Sequence, residues 1–171
     1  MGISLQNRQR KIRVEMQRLR RVGERALALL SRPKAECSVI LVDDETIAAL
    51  NRTYRGVRGP TDVLAFAMTE GPFGASWPDL LGDVVISVET ARRQARERAG
   101  GLRAELALLL VHGILHLFGY DHDTARGRWA MWPQQGAILE ACGLTPVPMG
   151  PSGPGGRVRP KGAASGHRAP R

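Results

Sequence analysis

The chain contains 171 residues, of which 43% are hydrophobic, and it carries a formal net charge of +9. This length is enough for one domain with its own hydrophobic core. No apolar run approaches the roughly 20 residues of a membrane-spanning helix, so we expect no membrane partner. A secretory apolar segment is also missing, which predicts a cytoplasmic protein. Cys37 and Cys142 have no neighbour at ligand spacing, and we expect small buried residues rather than a disulfide.

Most of the positive charge lies towards the two ends of the chain. Residues 8–32 carry a net charge of +7 and residues 143–171 a net charge of +5, whereas residues 33–142 carry −3. Such a distribution suits a polyanion held electrostatically around a site. It suits equally well a solvated helix face and a separate basic tail, so charge alone leaves both interpretations open.

The first part of the chain alternates short strands with helices. Apolar residues between positions 12 and 30 recur at helical spacing until Pro33, and Asp43 or Asp44 caps the next helix. In chain order we predict a strand at 3–6, a helix at 12–30, a strand at 37–42, a helix at 43–50, a polar loop at 51–60 and a strand at 61–66.

The second part is richer in helix and ends in a segment without apolar periodicity. We predict a turn-rich mobile flap at 71–78, a strand at 82–88 and helices at 89–99, 102–118 and 125–142, the last disturbed by Pro133. Residues 1–147 are predicted to form a single domain, and residues 148–171 a disordered basic tail rich in proline and glycine. The predicted fold class is α+β (mixed α/β), with helices packed on a small mixed sheet.

Three of the four histidines, His112, His116 and His122, fall within eleven residues. The first two are four residues apart in an apolar stretch, which places them one turn apart on one face of a helix. Gly119 is suited to end that helix, after which the chain can double back and bring His122 beside the others. A lone histidine on such a face is usually a core residue, but three together leave polar nitrogens to satisfy. The pattern therefore predicts a zinc site with its fourth position open, as in catalytic sites.

The residue after the first histidine separates this pattern from a zinc peptidase. A His-Glu-x-x-His peptidase carries its general base there, whereas this chain has Gly113. A metal can still lower the pKa of bound water to about 7 and neutralise an oxyanion. An acidic or phosphate-bearing substrate is therefore expected rather than an amide.

Four segments resemble the bacterial YbeY family, whose members are metal-dependent endoribonucleases of rRNA maturation and ribosome quality control. These segments are LNRTYR at 50–55, PTDVLAF at 60–66, LGDVVI at 81–86 and HGILHLFGYDH at 112–122. The resemblance extends over about residues 2–145. It departs at Ala65-Phe66-Ala67, and at Trp132-Pro133-Gln134-Gln135, which replaces a more acidic helical stretch. We expect neither departure to touch a metal ligand.

The resemblance implies that His112, His116 and His122 hold one zinc ion and that Arg55 lies near the metal cleft. Arg55 is then a second cation for phosphate oxygens, and the alternative is a surface salt bridge to a carboxylate such as Asp62. Asp121 is either an acceptor that orients a ligand histidine or a turn residue.

The expected function is a zinc-dependent, single-strand-specific endoribonuclease in rRNA maturation, including 16S 3′ end processing, and in ribosome quality control. Its expected partners are rRNA, ribosomal particles and ribosome-associated proteins. Two alternatives remain open: a non-enzymatic ribosome assembly factor with a structural zinc, and a metallohydrolase of another substrate such as a peptide.

Overall fold

The computed structural model describes residues 2–69, 76–98 and 100–145. Within these ranges helices and strands are mixed along the chain, which confirms the predicted α+β class. The elements are β1 Gly2–Asn7, α1 Met16–Leu29, β2 Glu36–Val42, α2 Asp44–Arg55, β3 Val63–Ala67, β4 Leu80–Ser87, α3 Val88–Glu97, α4 Gly101–Leu117 and α5 Ala125–Ala141.

The strands form one mixed sheet in the order β1-β2-β4-β3. β1, β2 and β4 run parallel, and β3 pairs antiparallel with β4 at the edge of the sheet. Because successive side chains of a strand point to opposite faces, β4 contributes Val84 and Ile86 to one core cluster and Val85 to the other. The larger cluster includes residues of α1, α4 and α5, and the smaller one includes Ile47 of α2. The helix α2 therefore covers the opposite face of the sheet from α4.

The helix α4 forms the centre of the larger core. Every residue from Glu105 to Leu117 is buried, as expected for a helix that is apolar all round. A Cβ atom at Gly113 would lie 2.5 Å from Cγ1 of Val84. The missing side chain therefore allows α4 to approach the sheet closely, and this fixes the position of the histidines on either side of Gly113.

Two predicted helix boundaries were wrong for identifiable reasons. The first helix begins at Met16 rather than at residue 12, because Gln9 forms a local turn: its Oε1 accepts the N–H of Ile12 at 3.0 Å. The second helix continues to Arg55, so residues 51–55 are not loop. Its last turn is anchored by Asn51, whose amide donates to the carbonyl of Gly59 at 3.0 Å. A left-handed glycine, Gly56 with φ +69°, then ends the helix.

The last helix is continuous through Pro133, contrary to the predicted disturbance. Proline has no N–H to donate to the carbonyl of Trp129, four residues earlier. Both residues are exposed, so water can satisfy that carbonyl and the helix continues.

Several expectations fall wholly or partly outside the described residues. Residues 71–75 of the predicted flap, and all of the predicted tail at 148–171, are not described. Both cysteines are free, with Cys37 buried and Cys142 half-buried. In the described part of the chain no single helix is long and apolar enough to cross a membrane, and α3 and α4 meet the length and composition only when joined as a bent pair.

Candidate metal centre

The structure brings the three predicted ligand histidines together. His112 and His116 lie one turn apart on α4, and Gly119, with φ +91°, allows the chain to turn after the helix. The following loop returns His122 to the same point, so that the ring centroids are 4.6 to 5.1 Å apart. One ligand nitrogen of each histidine lies within 4.8 Å of the others. The group can therefore hold a metal ion.

The environment of the nitrogens fits a metal better than a hydrogen-bonded core. His112 and His116 are 0% and 1% exposed, and their Nε2 atoms lie 3.0 Å apart. Two imidazole ligands of tetrahedral zinc are separated by about 3.3 Å, given Zn–N bonds of about 2.0–2.1 Å. Nε2 of His122 is also buried and has no hydrogen-bond partner in the described part of the chain. A cation at the centre would satisfy these nitrogens at once.

Burial also keeps His116 in the protonation state that a metal ligand requires. Desolvation, followed by the charge of His122, lowers the pKa of His116 to about 4, and Asp121 partly opposes this shift. At neutral pH the imidazole is therefore uncharged and has a lone pair to donate.

A side chain of α5 orients the first histidine. Nδ1–H of His112 donates to Oε1 of Gln135 at 2.9 Å, which leaves the lone pair on Nε2 facing His116. Gln135 is 2% exposed. The same helix places the indole of Trp132 against His122, with ring centroids 5.7 Å apart and planes inclined by 28°, and 6.1 Å from His112.

The expectation that the Trp132–Gln135 departure touches no ligand was therefore wrong. The physical reason is that α5 packs back against α4 with Met131, Gln135, Ile138 and Leu139 on its buried face. These four residues recur at positions i, i+4, i+7 and i+8, and this periodicity is the sequence signal that could have placed Gln135 inside.

The loop that carries His122 is held by contacts to the first turn of α5. The guanidinium of Arg128 donates to the carbonyl of His122 at 3.0 Å. Thr124 caps the helix by accepting the N–H of Gly127 at 3.0 Å. Oδ1 of Asp121 accepts the N–H of Asp123 at 3.1 Å, so Asp121 shapes the turn while its charge also acts on His116.

Arg55 lies on a different element from the one predicted. It is the last residue of α2, and its guanidinium donates to Oδ1 of Asn51 at 3.4 Å. The neighbouring Tyr54 packs edge-on against Phe66 of β3, with centroids 5.2 Å apart. Since α2 and α4 cover opposite faces of the sheet, Arg55 and the two helical histidines belong to elements on opposite faces.

The comparisons with known proteins identify the family of the chain. The sequence profile of a family described as Endoribonuclease YbeY matches residues 4–143. The chain belongs to the endoribonuclease YbeY family. It is 51% identical over 141 residues to Endoribonuclease YbeY of Moorella thermoacetica, covering 72% of this chain and 90% of that one. It is 44% identical over 149 residues to Endoribonuclease YbeY of Geobacter metallireducens, covering 84% and 99%.

A solved structure shares the fold of this YbeY-family chain. The solution structure of a Thermotoga maritima protein superposes with a TM-score of 0.58 at 28% sequence identity, covering 82% of this chain and 88% of that one. The fold that presents the three histidines is therefore one already seen in a solved structure.

The close packing of α4 limits the chemistry that this site can perform. Gly113 follows the first histidine, where a zinc peptidase carries glutamate. Val84 and Val63 of the sheet occupy the space that a side chain at this position would need. The site therefore offers imidazole ligands without a carboxylate base at this position, and this favours a substrate whose negative charge a metal can neutralise.

Proposed function

We propose that this chain is a zinc-dependent endoribonuclease that cleaves single-stranded rRNA in the cytoplasm. The observation that carries the proposal is the cluster of three imidazoles in a chain of the YbeY family, in which Nε2 of His122 is buried and has no hydrogen-bond partner among the described residues. Imidazole donors favour zinc over magnesium or calcium. Three protein ligands leave a fourth position for water or a phosphate oxygen. We extend the proposal to 16S 3′ end processing and ribosome quality control, with rRNA and ribosomal particles as partners.

Each part of the site has a distinct task in this mechanism. A bound zinc supplies a Lewis acid and a water whose pKa is lowered to about 7. Gln135 holds His112 in the tautomer that presents Nε2. Arg55 would be the second cation, donating the planar pair of N–H groups of its guanidinium to the oxygens of the scissile phosphate.

A cavity lined by arginines, which we call the arginine groove, supports an RNA substrate. This cavity of about 700 Å³ lies between α1, α4 and the end of α5, with apolar residues and five arginines in its walls. These arginines are Arg13, Arg18, Arg21, Arg25 and Arg103. Arg18 pairs with Glu15 at 2.7 Å, whereas the other four form no ion pair within the described residues.

The position of this arginine groove suits an RNA strand that continues beyond the metal centre. Arg103 and His116 lie on the same helix, thirteen residues and about 20 Å apart at 1.5 Å per residue. We propose that phosphates away from the cleavage point bind there. The basic region at residues 8–32 then forms part of the substrate site and is more than a solvated helix face.

The decisive experiment is cleavage of a defined rRNA precursor by the purified protein, alone and with ribosomes added. We expect chelation of the metal to abolish cleavage and added zinc to restore it. The variant His116→Ala should be inactive under all conditions, which excludes a contaminating nuclease. Fully zinc-loaded protein that never cleaves RNA would overturn the proposal.

One observation favours the alternative of a non-enzymatic assembly factor. Asp121 and Asp123 flank His122, and these three residues also form a group whose ligand atoms lie within 4.8 Å of one another. If an aspartate closed the fourth position, the zinc would be structural. Cobalt substitution distinguishes the two cases, because an added anion changes the visible spectrum of an open site and leaves that of a closed one unchanged. A peptidase is disfavoured because Gly113 supplies no general base and a glutamate would meet Val84.

A further inference from the structure

The helix α5 carries two indoles, one of which lies against the metal centre. Trp132 is half-buried, with its ring against His122 and near His112. Trp129 lies one turn earlier and is 82% exposed. Residues three apart lie on the same side of a helix, so the two indoles are neighbours. We propose that Trp129 and Trp132 form a platform on which unpaired nucleobases of the RNA stack, next to the bond that is cut. This inference rests on the proposed function, because it takes RNA as the ligand.

The packing of α5 gives Trp132 a partly structural role, because its ring also packs against the edge of the main core, but leaves Trp129 outside the packing. The helix buries Met131, Gln135, Ile138 and Leu139 against the rest of the protein. Trp129 is not among these residues, and its ring is 82% exposed, so it is accessible to a planar ligand. Trp132 is held by its contacts with the histidine rings, so its plane is fixed before a base arrives and little conformational entropy is lost on binding.

The charges on the same helix suit a polyanion. The first two turns of α5 contain Arg126 and Arg128 and no acidic residue, and Glu140 is the first carboxylate along the helix. Arg126 is exposed, whereas Arg128 is half-buried and bonded to the carbonyl of His122. Aromatic rings interleaved with cations are the pattern by which proteins bind single-stranded nucleic acid, with bases on the rings and phosphates near the cations.

The platform would select substrates by strandedness rather than by sequence. Every base has a π-face, so stacking tolerates any sequence, but the base must first leave its duplex partner. A base stacked on Trp132 lies beside the histidines, which places its flanking phosphate near the open metal position. The proposed preference for single strands thus has a physical origin in α5.

Tryptophan fluorescence tests this proposal directly. The chain has three tryptophans, and the variant Trp77→Phe leaves only the two platform indoles as reporters. We expect a short single-stranded RNA, with a non-cleavable linkage at the scissile position, to quench their emission when it binds the zinc-loaded protein. A fully paired RNA of the same sequence should quench little.

Measurements of RNA affinity in tryptophan variants supply a second test of the platform. Trp129→Ala and Trp132→Ala should each weaken binding of the single strand about 10-fold, the scale expected when one base no longer has a ring to stack on. Trp132→Phe should retain most of the affinity, because a phenyl ring still stacks. Trp77→Ala removes a tryptophan that is 68% exposed and lies before β4, and it should change nothing. An RNA with abasic residues near the scissile linkage should bind wild-type protein as weakly as it binds the Trp129→Ala variant.

The outcomes separate this inference from the proposed function. Wild-type affinity in Trp129→Ala, or equal quenching by abasic and normal RNA, would overturn the platform even if the enzyme cleaves RNA normally. Base-dependent quenching by a protein that never cleaves RNA would support the platform and reject the endonuclease. Zinc content is measured in every variant. If Trp132→Ala loses its metal, Trp129→Ala becomes the deciding variant. No ring contact joins Trp129 to a ligand histidine within the described residues, so its replacement should leave the metal in place.

Discussion

Oε1 of Gln135 lies 2.9 Å from Nδ1 of His112, so a residue of α5 fixes the tautomer of a proposed ligand on α4. A histidine bound to zinc through Nε2 needs a proton on Nδ1 and an acceptor for that proton. Gln135 supplies the acceptor from a buried position. The metal centre therefore depends on the packing of two helices and not only on the spacing of histidines within one.

Replacement of Gln135 should weaken metal binding without removing a ligand. We expect Gln135→Leu to lower zinc affinity about 10–100-fold, the effect typical of removing the hydrogen-bond acceptor of a metal-bound histidine. Gln135→Glu retains an acceptor and should restore much of the affinity. The measurement is competition with a chromophoric chelator, and Gln134→Leu is the matched control on the neighbouring, half-buried position. Unchanged affinity in Gln135→Leu would show that the hydrogen bond does not tune the metal.

Purified protein should contain about one zinc per chain, as expected for one three-ligand site. His116→Ala should lose this metal, because it removes the middle one of the three ligands and the described residues offer no further histidine in its place. Elemental analysis decides the outcome. His167→Ala is the control and should keep full zinc, whereas full zinc in His116→Ala would rule out the site as described.

Arg55→Ala should lower the rate of rRNA cleavage far more than RNA affinity. Removal of one donor to a transition-state oxyanion typically costs about 10²–10³ in rate. Arg55 is exposed at the end of α2 and is not a ligand, so zinc content and fold should be intact. Arg55→Lys should restore little, because an ammonium cannot make the two-pronged contact.

Single-turnover cleavage and an equilibrium titration on the same RNA check the role of Arg55. Arg52→Ala is the matched control, since Arg52 is exposed in the same last turn of α2. Equal losses of rate and affinity in Arg55→Ala would make Arg55 a substrate-binding residue only.

Binding of RNA should weaken steeply with salt if the basic regions bind phosphates. Removal of one arginine that binds a phosphate should lower the slope of log affinity against log salt by about 0.7 for a single strand. We expect this decrease for Arg21→Ala and Arg103→Ala in the arginine groove, and a larger one on deletion of residues 148–171. Arg18→Ala should have a smaller effect, because Arg18 is already paired with Glu15. Zinc content should be unchanged in all of these variants. If the deletion leaves the salt slope unaltered, the tail is a solvated segment that does not bind RNA.

The sequence by itself determined the features that depend on local backbone geometry. A spacing of four residues places His112 and His116 on one helix face wherever that helix packs. Gly119 adopts a left-handed conformation at little cost, so the turn towards His122 could also be predicted. Strand periodicity and the family resemblance together predicted a mixed sheet with packed helices, and the boundaries failed only where side chains such as Gln9 and Asn51 hold the local backbone.

Only the tertiary structure decided which faces meet. The spacing of residues within α5 places Gln135 and Trp132 on neighbouring turns, but their contact with the histidines arises because α5 folds back onto α4. Arg55 and His112 belong to helices on opposite faces of the sheet, a relationship set by strand order. The sequence shows that position 113 carries a glycine and therefore no general base. Only the structure shows that the valines of the sheet leave no space for a larger side chain at this position. Such contacts join residues far apart in the chain, and the relative positions of those residues depend on the packing of the whole core.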